Sequence, residues 1–156
     1  MTLNWEVFTR GSTLDIQVHW ATATLAFAVG LVLFARAKGT RTHIVLGSVY
    51  CALMLVTSVA AFFIRHEPVS GWAWLSPKGM SAIHLFIPLT LFGIFGGLNG
   101  ILVKRSRHHH KWPMISSFAG ALVIAGAFTF IPGRRVHRFF FGPDMDLAAL
   151  CCGWPA

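Results

Sequence analysis

Polar and apolar positions divide the chain into long blocks. Residues 16–35, 44–64, 79–103 and 112–133 contain no Asp, Glu, Lys or Arg, and each block is 20 to 25 residues long. At about 1.5 Å of rise per residue, such a block crosses a hydrocarbon core of roughly 30 Å. A membrane β-barrel shows alternating segments of about ten residues instead, and no such segments occur. The pattern predicts an all-α polytopic membrane protein with four transmembrane helices over those blocks. Segments 1–15 and 134–156 lie outside the membrane domain. The connections after the first and third blocks are eight residues long, which forces neighbouring helices to run antiparallel in an up-down-up-down bundle.

Composition agrees with the pattern. The chain is 55% hydrophobic and 12% charged, with a mean hydropathy of +0.65, far from the roughly one quarter charged residues of soluble domains. The first 15 residues carry Glu6, Arg10 and Asp15 rather than a basic leader, so the first helix is expected to remain in the mature protein.

Charge then orients the bundle. The connections after helices one and three hold Arg36, Lys38, Arg41, Lys104, Arg105, Arg107 and Lys111 with no acid, a net +7. The opposite side carries six basic residues and all five acids, a net +1. Short loops rich in Lys and Arg stay in the cytoplasm, so both termini are expected outside it. The basic residues flank spans and most aromatics lie within them, which points to anionic lipid headgroups and away from nucleic acid. In the long outer connection, Trp72 and Trp74 suit an interface belt.

Small residues mark helix contacts. Gly96 and Gly100 in GGLNG form a small-xxx-small face with Asn99 beside it, and FAGALVIAG in the fourth block has the same character. Pro88 removes the helix hydrogen bond to the carbonyl of His84 and is expected to bend the third helix there. Cys51 reads as an inert residue of the second helix, and Cys151 and Cys152 are adjacent in the outer tail. The tail is too short to span, which leaves it the interface or a partner protein to lie against. Nucleophilic triads, paired catalytic carboxylates, CxxC pairs and phosphate-binding glycine loops are absent from the sequence, which removes hydrolase and kinase chemistry.

The histidines carry the remaining chemistry. His19 and His84 lie within the first and third blocks, each four or five residues from the outer boundary and therefore at one depth. His43 and the run His108, His109 and His110 stand at the inner mouths of helices two and four. In a four-helix square these are the two diagonals. Two neutral imidazoles facing each other across a bundle suit the iron of a b-type haem, so His19 with His84 is the first candidate ligand pair and His43 with His110 the second. For the inner pair a solvated basic rim competes with ligation, and for the outer pair interhelical hydrogen bonding does. The triple run lacks a neighbouring Cys, Asp or Glu, and no dedicated metal site is expected; a metal held by His19, His84, His66 and His137 is a minor alternative.

THIVLGSVY, SAIHLF, HKWPM and above all AGALVIAGAFTFIPGRRVHRFFFG resemble the bacterial integral membrane family catalogued as domain of unknown function 2306, from about residue 16 to Gly142. That resemblance implies four helices in a bacterial inner membrane with recurrent histidines, and no established activity. The spacing of the histidine diagonals is similar to the four-helix core of cytochrome b-561, which implies haem-mediated electron transfer across the membrane. A non-catalytic accessory membrane subunit whose histidines bond between helices is the competing class.

Overall fold

The computed structural model describes residues 4–9, 12–64, 84, 86–130 and 135–141, and no strand occurs among them. In chain order the helices are α1 (Glu6–Thr9), α2 (Leu14–Ala35), α3 (Arg41–Phe63), α4 (Phe86–Leu102), α5 (Arg107–Ser117), a π-helical segment (Phe118–Ile124), α6 (Ala125–Phe128) and α7 (Arg135–Phe141). Among the described residues three continuous helices are long and apolar enough to cross a membrane: Leu14–Ala35, Arg41–Phe63, and the rod Arg107–Phe128 that joins α5, the π segment and α6. The shorter apolar helix is α4, with 17 residues. The outer connection with His66, Trp72 and Trp74, and the tail with Cys151 and Cys152, fall outside the described residues.

Local chemistry sets the helix starts. Thr40 caps α3 by accepting the backbone N–H of His43 at 3.2 Å, which satisfies an orphan donor and starts the helix three residues before the charge-free block. At the end of α2, Lys38 donates to the carbonyls of Phe34 and Arg36, as a cation at a helix C-terminus should. Gly39 follows with φ +83, a conformation that a side chain disfavours. Arg105 takes φ 48 in the turn between α4 and α5 without being glycine. Opposite effects are therefore expected: Gly39→Ala lowers stability by about 1 kcal/mol and Arg105→Gly recovers a comparable amount. Thermal unfolding in detergent checks both, and matching signs for the two variants would sink the argument.

Pro88 bends no described helix, and the residues before α4 on which a bend would show fall outside the described ones apart from His84. It occupies the first turn of α4, where no intrahelical donor is needed, while His84 precedes the α-helix in a short 3-10 turn. The proline inside a helix is Pro113 in α5, followed four residues later by the π segment. Asn99 does not bond across a helix contact as its place beside Gly100 suggests; its side chain is exposed, and its carbonyl accepts the N–H groups of Val103 and Lys104.

Packing joins α2 to α3 and α4 to α5 along most of their lengths, with α3 against α4 and the π segment against both α2 and α4. The core formed by these contacts comprises Ala26, Tyr50, Met54, Ile94, Phe118 and Leu122. Glycine makes the close approaches possible. The Phe118 ring lies over Gly30, stacks on Phe27 at 5.6 Å and meets Phe34 edge-on at 4.9 Å. On α4, Gly93, Gly97 and Gly100 face Ser117, Met114 and the backbone of His109 and His110 respectively.

The first and last described helices meet at the N-terminal end of α2. Asn4 donates its N–H to the carbonyl of Phe139 at 3.3 Å, and Trp5, Phe8, Trp20 and Phe139 form one aromatic cluster, with Phe8 stacked on Trp20 at 4.7 Å. The described part of the tail thus packs on this chain's own α1.

Candidate functional site: two histidine levels

His19 sits one and a half turns into α2. Its Nδ1 lies 3.0 Å from the carbonyl oxygen of Thr57 on α3. Because that carbonyl can only accept, Nδ1 carries the proton and Nε2 is left with its lone pair. The Thr57 side chain works in the same place: its hydroxyl donates to Thr22 Oγ1 at 2.8 Å, and Thr22 donates in turn to the carbonyl of Val18 at 2.7 Å. His84 is buried and close enough to His19 for their charges to interact. This end of the bundle carries Trp20 and the aromatic cluster of α1 and α7.

The second level lies at the opposite end of α3. His43 precedes Thr57 by 14 residues, about 21 Å of helix. Its ring faces that of His110 on α5, with centroids 6.5 Å apart and planes at 82°. His110 Nδ1 stands 2.9 Å from the carbonyl of Gly97 on α4, so here too the carbonyl fixes Nδ1 as the protonated nitrogen. His43 Nδ1 is buried without a hydrogen-bond partner.

The triple run separates into three roles. His108 Nε2 accepts from the indole of Trp112 at 2.8 Å on the exposed face, and His109 Nδ1 pairs with Ser106 Oγ at 2.9 Å. Only His110 turns to another helix. Among the described residues no three His, Cys, Asp or Glu side chains are grouped as a metal site requires, so His137, buried in α7, does not join His19 and His84 as a third ligand.

Between the levels the buried residues are mostly apolar, with Tyr50, Ser117 and Thr90 as polar members, the last donating its hydroxyl to the Phe86 carbonyl at 2.8 Å. Tyr50 is the next residue of the His43–Thr57 stripe, and its buried hydroxyl approaches Ser117 Oγ without completing a well-formed hydrogen bond. Sequence reasoning missed Thr22, Thr57 and Gly97 as neighbours of the histidines, and Tyr50 as the polar residue between the levels. The seven-residue steps from 43 to 50 to 57 were the available signal, since they place three residues on one helix face.

Both levels offer imidazole nitrogens, a donor type that metal ions and haem iron accept. Metal–imidazole bonds are about 2.0–2.1 Å, so two imidazoles on opposite sides of one ion have centroids about 6 to 7 Å apart, a range that contains the His43–His110 spacing. Ligating histidines commonly donate their other N–H to a carbonyl or carboxylate, as His19 and His110 do.

The family described as "Predicted membrane protein (DUF2306)" matches residues 16–152, nearly the whole chain and all four of these histidines. The chain belongs to that family. As a DUF2306 protein it is a helical membrane protein, and the family description assigns no activity. No curated protein and no solved structure matches it, so the likeness to the cytochrome b-561 core finds no support there.

Proposed function

We propose that this DUF2306 protein is a four-span electron-transfer protein of the bacterial inner membrane, holding b-type haem between His19 and His84 and between His43 and His110. One observation carries the reading. At each of two levels about 21 Å apart, one imidazole is held by a backbone carbonyl through Nδ1; at the inner level the ring of a second histidine faces it, and at the outer level a second, buried histidine lies within electrostatic range. Bound haem supplies one-electron chemistry. The Thr57 and Gly97 carbonyls set the tautomers of His19 and His110, while the apolar cluster of Ala26, Met54, Ile94, Phe118 and Leu122 separates the levels.

The meeting of α1 and α7 supports four crossings. A chain that enters and leaves at one end of a helical bundle crosses an even number of times, and α4 supplies the crossing that the three longer helices lack. The two basic loops then lie in the cytoplasm, against anionic headgroups, with both termini outside. Alkaline phosphatase fused after Ala156 is expected to be active and fused after Lys38 inactive; the opposite pattern would invert the topology.

The same carbonyl bonds support a second reading. His19 joins α2 to α3 and His110 joins α5 to α4, as expected of an accessory subunit whose histidines bond between helices. The reduced-minus-oxidised absorption spectrum of untagged protein purified from membranes separates the two. A sharp α-band on reduction is expected; a colourless preparation that also fails to take up added haemin would leave the accessory role.

A further inference from the structure

The two threonines beside His19 make a connected arrangement that the helix contact itself does not require. Thr57 faces α2 twice, accepting the His19 Nδ1–H through its carbonyl and donating its hydroxyl to Thr22 Oγ1. Thr22 is three residues, one turn, beyond His19 on the same face of α2. It passes the chain on by donating to the carbonyl of Val18, the residue before His19. A ring of contacts therefore runs from the His19 imidazole through Thr57 and Thr22 back to the backbone at His19, with every donor and acceptor assigned. Thr57 is buried, so water does not substitute for a lost member of the ring.

We infer that Thr22 and Thr57 are positioning residues that hold the Thr57 carbonyl against His19 Nδ1 and so keep Nε2 unprotonated as the ligand nitrogen. The hydroxyl pair fixes the distance and rotation of α3 relative to α2 one turn away from the imidazole. Without it the carbonyl drifts from Nδ1, the ring loses its single tautomer, and the proton resides on Nε2 in part of the population, where it blocks metal ligation. The inference rests on His19 being a ligand, and its test has a readout that does not involve haem.

Full-length protein carrying isotope-labelled histidine is examined in detergent by NMR at about pH 8, where unperturbed imidazole is neutral. The His19 signals are assigned by their loss in His19→Gln. Wild type is expected to show one His19 tautomer, protonated at Nδ1. Thr22→Val and Thr57→Val, which keep side-chain shape, are expected to show both tautomers, and Thr22→Ser is expected to restore the wild-type pattern. Haemin titrated into the same samples is expected to bind about 10-fold more weakly in the valine variants, the lower end of the usual loss when a ligand's own hydrogen-bond partner is disturbed. Tautomer mixing in a protein whose wild type takes up no haemin keeps the positioning role and removes the haem reading. An unchanged Nδ1–H tautomer in both valine variants, with cooperative unfolding intact, would overturn the inference. Should either valine variant fail to unfold cooperatively, Thr22→Ala decides in its place by the same signals.

Discussion

Gly100→Ala is expected to destabilise the protein by about 1–3 kcal/mol, the range for forcing a methyl group into a filled interior. A Cβ built at Gly100 falls 2.5 Å from the carbonyl carbon of His109 and 2.6 Å from both its oxygen and the nitrogen of His110. These are backbone atoms, so relief requires α4 and α5 to separate rather than a side chain to swing away. The site is sensitive for a second reason. Pro113 cannot donate to the His109 carbonyl, and α4 approaches α5 at that carbonyl. A Cβ at Gly97 meets the flexible end of Met114 at 2.2 Å and is accommodated more cheaply, and one at Gly126 or Gly47 meets nothing within 4 Å. The expected order of thermal stability in detergent is thus Gly126→Ala and Gly47→Ala highest, with gains of up to about 1 kcal/mol from helix propensity, then Gly97→Ala, then Gly100→Ala. Each kcal/mol corresponds to about 2–4 °C at this chain length. A Gly100→Ala protein as stable as wild type would contradict the backbone contact between α4 and α5.

How much of this was legible follows from what kind of atom makes each contact. The apolar blocks were legible because a bilayer demands about twenty apolar residues whatever their order, and the membrane character rests on that demand. Helix starts were not, because charge marks the block while Thr40 and its bond to His43 mark the helix. The Thr40–His43 spacing is a cap signal that counting charges passes over. Pro88 misled because its effect depends on its distance from a helix start, which no residue type in SAIHLF announces. The π segment has no composition of its own; FAGALVI reads as any apolar helix.

The candidate site divides along the same line. That His43 and His110 share a level was legible from their distance to the block ends. The hydrogen-bond partners were not, because those of His19 and His110 are backbone carbonyls, and a carbonyl of Thr57 or Gly97 has no signature in side-chain identity. For the inner pair the solvated-rim alternative drew on the neighbouring Arg and Lys residues. Only the arrangement of α3 and α5 shows that His110 turns inward to Gly97 and meets His43 while His108 and His109 stay on the exposed face.

The largest functional effect is expected from the histidines taken in pairs. In a bis-imidazole site either ligand is indispensable, so His19→Ala and His84→Ala are expected to remove one haem per chain each, and the double variant no more than either. His43→Ala and His110→Ala are expected to do the same at the other level, so that each single substitution halves haem per chain and leaves the remaining centre's spectrum in place. Combining His19→Ala with His43→Ala is expected to empty the protein. The separation along α3, about 21 Å between the residues that mark the two levels, is why losses across levels add while losses within a level do not. If the histidines only bond between helices, the outcome differs in kind. His84→Ala and His43→Ala would then not reproduce the effects of His19→Ala and His110→Ala, because the carbonyl bonds belong to the latter two. Haem per polypeptide, measured beside unfolding temperature for the four single and three double variants, decides between these patterns. Equal and saturating losses within each level support ligation, and independent, additive losses of stability without any change in haem would remove it.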